Sequence, residues 1–258
     1  MSIDTGRVVS EGYERTTARN GLLFVGIFYL ISLLNGLFSP APAQQSMLPD
    51  PIAGPGMGPV PAEGMQPYAP SLGLSPVVAS LLSLLLAIGS IVVTLGALRT
   101  FVSEETEQVP RENFRHNLLW AGVNLVIGGI IFGIVVAIGF VFLIIPGLFL
   151  LVSLFFWEIY VAVEDENFIE GFQNSWGLTG GHRLRLFGLG VLVVFIAIVV
   201  SIGFGIPGIF LPDFLGFLIA ELGSAFIGVF FLAATAQAYN QLVAMETGPR
   251  AEAYEEGF

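Results

Sequence analysis

No cysteine and no lysine occur in this 258-residue chain, and only two histidines do. Without cysteine there are no disulfides, thiolate nucleophiles, cysteine-ligated metals or cysteine-linked lipid anchors. Without lysine, the nine basic residues are all arginine, against 20 acids and a net charge of -11. A basic nucleic-acid footprint is therefore excluded. Charge is scarce altogether, at 11% of the chain, where a soluble domain carries about 25%. The motifs of several common catalytic sites are missing as well: no H-E-x-x-H, G-x-S-x-G or Walker loop is present. The four aspartates, Asp4, Asp50, Asp165 and Asp213, provide no intramembrane pair. Neither an enzyme activity nor a cofactor is expected.

What is present is apolar surface. Hydrophobic residues make up 55% of the chain, and the mean hydropathy is +0.84. Apolar runs long enough to cross a bilayer recur. They predict an all-α membrane protein, a single polytopic domain over residues 1–258. Its six transmembrane helices are expected at about 21–38, 77–98, 118–145, 148–163, 184–204 and 214–245. The first is read as a retained helix rather than a cleaved signal, because its polar leader and apolar run are both too long for one. Residues 39–76 hold ten of the fifteen prolines and no arginine, which predicts a disordered external loop. Met47, Met57 and Met65 within it are thioethers suited to Cu(I), but their loose spacing reads as composition.

Basic residues cluster on the cytoplasmic side of membrane proteins. With six spans, all nine arginines fall on one side, so both termini are expected in the cytoplasm. Trp120 and Trp157 would sit near the cytoplasmic ends of their spans, as an aromatic belt requires. Gln237, Asn240 and Gln241 would mark where span six leaves the membrane. At the N-terminus, Asp4 or Thr5 is a candidate cap for a short helix with Val9, Tyr13 and Thr16 on one face.

Gly129, Gly133 and Ala137 recur every four residues in span three, a spacing that lets helices approach closely. Pro146-Gly147 is expected to break the chain into a tight outer hairpin, since proline lacks the amide donor and glycine turns freely. Glu164-Asp165-Glu166 leaves the membrane, with Asp165 as a helix cap. From Glu166 to Thr179, Phe168, Ile169, Phe172 and Trp176 follow helical spacing, opposite Glu166, Asn167, Glu170, Gln173 and Asn174. This predicts a cytoplasmic interfacial amphipathic helix between spans four and five, ended by Gly180-Gly181. A short acid-x-aromatic unit precedes spans one, three and five: Glu11-Gly12-Tyr13, Glu112-Asn113-Phe114 and Glu170-Gly171-Phe172.

Ionisable residues inside spans raise a functional hypothesis by default. Two qualify: Glu158, with Arg183 or Arg185 as candidate partners, and Glu221. Trp176, His182, Arg183 and Arg185 are candidate lipid-headgroup contacts, the basic group standing where a helix begins. The competing reading makes those arginines plain interfacial anchors.

Ile145-Pro-Gly-Leu148, Val161-Ala-Val-Glu-Asp165 and Phe168-x-x-Gly171-Phe-x-x-Ser175-Trp176-x-Leu178-Thr-x-Gly180 together carry a resemblance. The chain resembles an uncharacterised six-helix membrane domain of halophilic archaea, a domain of unknown function. More distantly it is similar to the membrane domain attached to some bacterial glycerophosphodiester phosphodiesterases, though Gly171 stands where that group usually has alanine. The resemblance implies a haloarchaeal source, with which the acidic, lysine-free composition agrees, and the six-helix fold. It transfers no catalytic residue. The expected function is a non-enzymatic, lipid-organising or regulatory module of the cell membrane. Its partners would be membrane lipids, another membrane protein or a second copy, and not nucleic acid. The rival is a small permease or channel using Glu158 or Glu221.

Overall fold

The computed structural model describes residues 3–38, 72–103, 105, 110–114 and 116–255, except the side chains of 111, 112 and 248–255. The proline-rich loop and its methionines, at 39–71, lie outside the described residues. Among the described residues the structure is all-helical: α1 (Thr5–Thr17), α2 (Arg19–Phe38), α3 (Pro76–Val102), a 3-10 turn (Arg111–Phe114), α4 (Leu118–Phe142), α5 (Ile144–Ser153), α6 (Trp157–Val163), α7 (Phe168–Leu178), α8 (Arg183–Phe210) and α9 (Asp213–Glu255). Six stretches are long and apolar enough to span a membrane, with α5 and α6 together forming the fourth. The chain divides into two units. One comprises Met1–Val25, Ile91–Ile198 and Phe226–Phe258, the other Gly26–Ser90 and Val199–Ala225.

In the first unit Asp4 caps α1, its carboxylate accepting from the Arg7 amide at 3.0 Å. The buried face of α1 is Val8, Gly12 and Thr16. Tyr13, expected on that face, is 56% exposed. At Gly12 an added Cβ would meet the Ala234 backbone at 3.1 Å, so only glycine permits this approach. Helix α7 repeats the pattern, with Gly171 and Ser175 buried one turn apart. The acid-Gly-aromatic units before spans one and five thus each place a buried glycine one turn before a buried hydroxyl.

The hairpin of α4 and α5 turns one step earlier than Pro146-Gly147 predicts. Leu143 is the extended residue (φ -164°, ψ 149°), and Pro146 falls in the first turn of α5, where its missing amide costs no helical hydrogen bond. Gly139 and Gly147 bring the two helices together, a Cβ on Gly139 lying 2.9 Å from the Gly147 Cα. The expected Gly129 and Gly133 approach meets nothing within 4 Å. Gly128 takes that role, against Trp157 and Phe168. Trp157 is 1% exposed and belongs to the core, not to an interfacial belt. Gln237 is likewise buried, Asn240 donates to the Val102 carbonyl, and Gln241 accepts from the Asp4 amide. Asn240 and Gln241 thus dock other elements and Gln237 lies buried, rather than the three marking an exit into water.

In the second unit α8 continues through Pro207 to Phe210, past the end at about 204 expected from sequence. The turn before α9 is confined to Leu211 and Pro212. Gly208 and Gly216 approach backbone to backbone, at 3.3–3.4 Å from an added Cβ.

The tip of the α4–α5 hairpin carries no polar side chain, and Val141 to Ile145 are exposed. Its backbone is closed internally, the Leu143 amide donating to Gly139 and its carbonyl accepting from Gly147, as hydrocarbon requires. From Asn124, which takes the first amide of α7, α4 rises about 27 Å to Phe142 at 1.5 Å per residue. That is close to the ~30 Å thickness of the hydrocarbon core, so this stretch of α4 is about long enough to cross it. In this cysteine-free chain, Ile144→Cys should stay unlabelled by a membrane-impermeant maleimide in intact vesicles of either orientation, while Asp213→Cys is labelled. Equal labelling of the two would place the tip in water.

Candidate functional site

The polar groups that meet in the first unit are organised by an interruption in the fourth span. Leu154, Phe155 and Phe156 separate α5 from α6. In an unbroken helix the Ser153 carbonyl would accept from the Trp157 amide. That amide instead bonds Leu154, and the Phe156 amide loses its own helical acceptor. Helix α7 supplies the replacements. The Ser175 hydroxyl accepts from the Phe156 amide at 3.0 Å and donates to the Ser153 carbonyl at 3.1 Å. The Thr179 hydroxyl donates to the same carbonyl at 3.1 Å.

Helix α7 is fixed at its start by Asn167, whose side chain accepts from the Ile169 and Glu170 amides, while Glu170 reaches back to the Asn167 amide. This reciprocal capping box starts the helix two residues after Asp165, the cap expected from sequence. The docking face is Gly171, Ser175 and Leu178. Gly171 lies 3.0 Å, at an added Cβ, from the Trp157 carbonyl. Of the aromatic face, Phe172 meets Trp157 edge to face at 5.3 Å, whereas Ile169 and Trp176 remain exposed.

Asp165 has a different task. It sits at φ 56° and receives the Arg99 guanidinium at 3.2 Å and the His116 Nε2 at 3.0 Å. Arg99 is 8% exposed and also donates to the carbonyls of Ala162, Asn113 and His116. One arginine thus ties α3, the 3-10 turn and the end of α6, using the fork of donors that lysine lacks. Nearby, the Tyr239 hydroxyl donates to Glu164 at 3.3 Å. Burial pushes the Glu166 carboxyl up, while a hydrogen bond from Asn174 pulls it the other way.

Of the residues singled out from sequence, Trp176 and Arg183 come together. The guanidinium lies 4.7 Å from the Phe149 ring centre and 4.6 Å from that of Trp176, and it donates to the Trp176 carbonyl at 3.2 Å. The His182 Nδ1 and Arg183 Nε are buried with no hydrogen-bond partner among the described residues. Arg185 is exposed. Glu158 is half-buried and pairs with neither Arg183 nor Arg185. It borders a cavity of about 190 Å³. Glu221 belongs to the other unit and accepts from the Ser32 hydroxyl.

Sequence reasoning missed Arg99, Ser175 and Thr179. A signal existed for the hydroxyls: Gly171, Ser175 and Thr179 recur every four residues and so share one helical face, beside that of Phe168 and Phe172. The family described as a domain of unknown function, DUF7847, matches residues 3–242, so the chain belongs to it over nearly its whole length. No curated protein and no solved structure matches it.

Removing the Ser175 hydroxyl strands an amide and weakens the hold on a carbonyl, both buried. Ser175→Ala should cost about 1–3 kcal/mol and lower the melting temperature of detergent-purified protein. Ser224→Ala, which loses only a bond to its own helix, should leave it nearly unchanged. Equal melting temperatures for wild type and Ser175→Ala would show that the break does not need this hydroxyl.

Proposed function

We propose that this member of the DUF7847 family is a non-enzymatic, lipid-organising module of the cell membrane, working through the α7–α8 corner. The observation that carries the reading is the arrangement around Arg183. A guanidinium lying over the rings of Phe149 and Trp176, which meet edge to face, is followed by the exposed Arg185, and Ile169 and Trp176 of α7 are exposed as well. Aromatic rings with an apolar body and a polar edge favour the headgroup boundary, and arginine beside them suits an anionic headgroup. In this reading α7 is the interfacial amphipathic helix. Its small face is spent on the broken span with Phe168 and Phe172 packed beside it, and the exposed Ile169 and Trp176 turn toward lipid.

Orientation follows from charge. Every arginine whose side chain is described, Arg7, Arg15, Arg19, Arg99, Arg183 and Arg185, belongs to the first unit. Basic residues mark the cytoplasmic side, so both termini are cytoplasmic and residues 39–76 external. Lipids are the main partner, with a second membrane protein or a second copy as a further one. The acidic, lysine-free composition supports a haloarchaeal source. The Pro146-Gly147 and Ser175-Trp176 motifs support a distant relation to the membrane domain of glycerophosphodiester phosphodiesterases.

Native mass spectrometry of protein released from mixed lipid should retain anionic over zwitterionic lipid. Arg183→Gln with Arg185→Gln should lower that preference by about 2 kcal/mol, near 1 kcal/mol per basic residue. Unchanged lipid selectivity in the double variant would defeat the proposal, as would proton, ion or lipid flux in proteoliposomes.

Reporters give the orientation: one fused at the C-terminus should read cytoplasmic and one inserted near Gly56 external. The reverse pattern would invert the topology.

A further inference from the structure

Glu158 has no part in the function just proposed, yet its surroundings are specific. Among the described residues its carboxyl has neither a hydrogen bond nor an ion pair. It borders a cavity of about 190 Å³. One water molecule takes about 10–15 Å³ of such volume, so a small organic molecule fits. The wall is apolar, four aromatic side chains together with leucine and isoleucine. Phe132 and Trp157 stack with centres 6.1 Å apart, and Phe155 and Phe231 meet edge to face at 5.8 Å. Of the other side-chain polar groups in the lining, the Thr235 hydroxyl already donates to the Phe231 carbonyl at 2.8 Å, and the Trp157 indole N–H is a donor that makes no counter-charge. No arginine or histidine lines the cavity.

These features select a class of ligand. An anion would meet the carboxylate and no cation. A divalent metal needs several oxygen ligands, and one carboxylate stands among hydrocarbon. A neutral guest fills the space but leaves the carboxylate without a counter-charge, at a cost that buried ions rarely bear alone. An organic ammonium ion meets both requirements. Its alkyl or aryl groups lie against the apolar wall, its charge faces aromatic rings, and the carboxylate neutralises it. We propose that the cavity between α3, α4, α6 and α9 binds a small organic ammonium ion, with Glu158 as counter-charge and Phe132, Phe155, Trp157 and Phe231 as the aromatic wall.

The test uses full-length protein in nanodiscs, titrated calorimetrically against empty nanodiscs with two probes of the same shape, phenyltrimethylammonium and tert-butylbenzene. Wild type should bind the cation saturably and about tenfold or more tighter than the neutral probe. Glu158→Gln should abolish that preference while still binding tert-butylbenzene, which reports an intact cavity. Leu232→Trp, which fills the cavity and keeps the carboxyl, should lose both ligands while circular dichroism stays helical. Three results would each overturn the proposal: no preference for the cation in wild type, a preference that survives Glu158→Gln, or cation binding that survives Leu232→Trp. If Glu158→Gln does not fold, the wild-type preference and Leu232→Trp decide alone. Failure here leaves the lipid reading intact, because that reading rests on Arg183 and Arg185.

Discussion

In hydrocarbon a backbone amide or carbonyl without a partner has no water to turn to, and each such group costs several kcal/mol. The break between α5 and α6 frees a carbonyl at Ser153 and an amide at Phe156, and it exists because Ser175 and Thr179 take them up. That exchange makes the fourth span and α7 mutually dependent. The span cannot be interrupted unless α7 docks, and α7 docks because its Gly171–Ser175–Leu178 face matches the interruption. The rest of the first unit follows from this contact. Adjacent residues Phe156 and Trp157 both become buried, which a continuous helix could not easily arrange with Glu158 still facing a cavity beside them.

Charge plays a second, local part. Arg99 reaches three carbonyls and the Asp165 carboxylate, so the end of α6 and the 3-10 turn are held by one side chain. Its value lies in satisfying carbonyls at a helix end, more than in the ion pair itself, since a partly buried pair repays its desolvation only in part. Asp165 and His116, which in isolation look like chemistry, are partners in this joint. The acidic exit of span four therefore reads as architecture, and the groups left with capacity for a ligand are Glu158 and the Arg183–Arg185 corner.

The two corners differ in kind. Around Arg183 the charge is already engaged with rings and a carbonyl, and exposed Trp176 and Arg185 extend it outward, an arrangement suited to a surface. Around Glu158 the carboxyl is unmatched and borders a partly open apolar cavity, an arrangement suited to a discrete guest. Neither depends on the other, because they use different faces of the helix hairpin made by α6 and α7.

Most of the architecture was legible in the chain itself. Apolar run length set the six spans, because a bilayer demands it, and Asp4 and the acid-Gly-aromatic units announced α1 and α7. Register was not legible. Val8 is fully buried where Val9 is only partly so, and Gly128 rather than Gly129 meets a neighbouring helix, since a helical period leaves neighbouring residues to be sorted by what packs against them. Nor was the break in span four, which carries no proline or glycine between Leu154 and Phe156. Local propensity there favours a continuous helix, and only hydroxyls 19 to 26 residues further along make its interruption affordable. Sequence alone determined six helical stretches long and apolar enough to cross a membrane. Tertiary structure decided which polar groups are spent holding it together and which are left to meet something else.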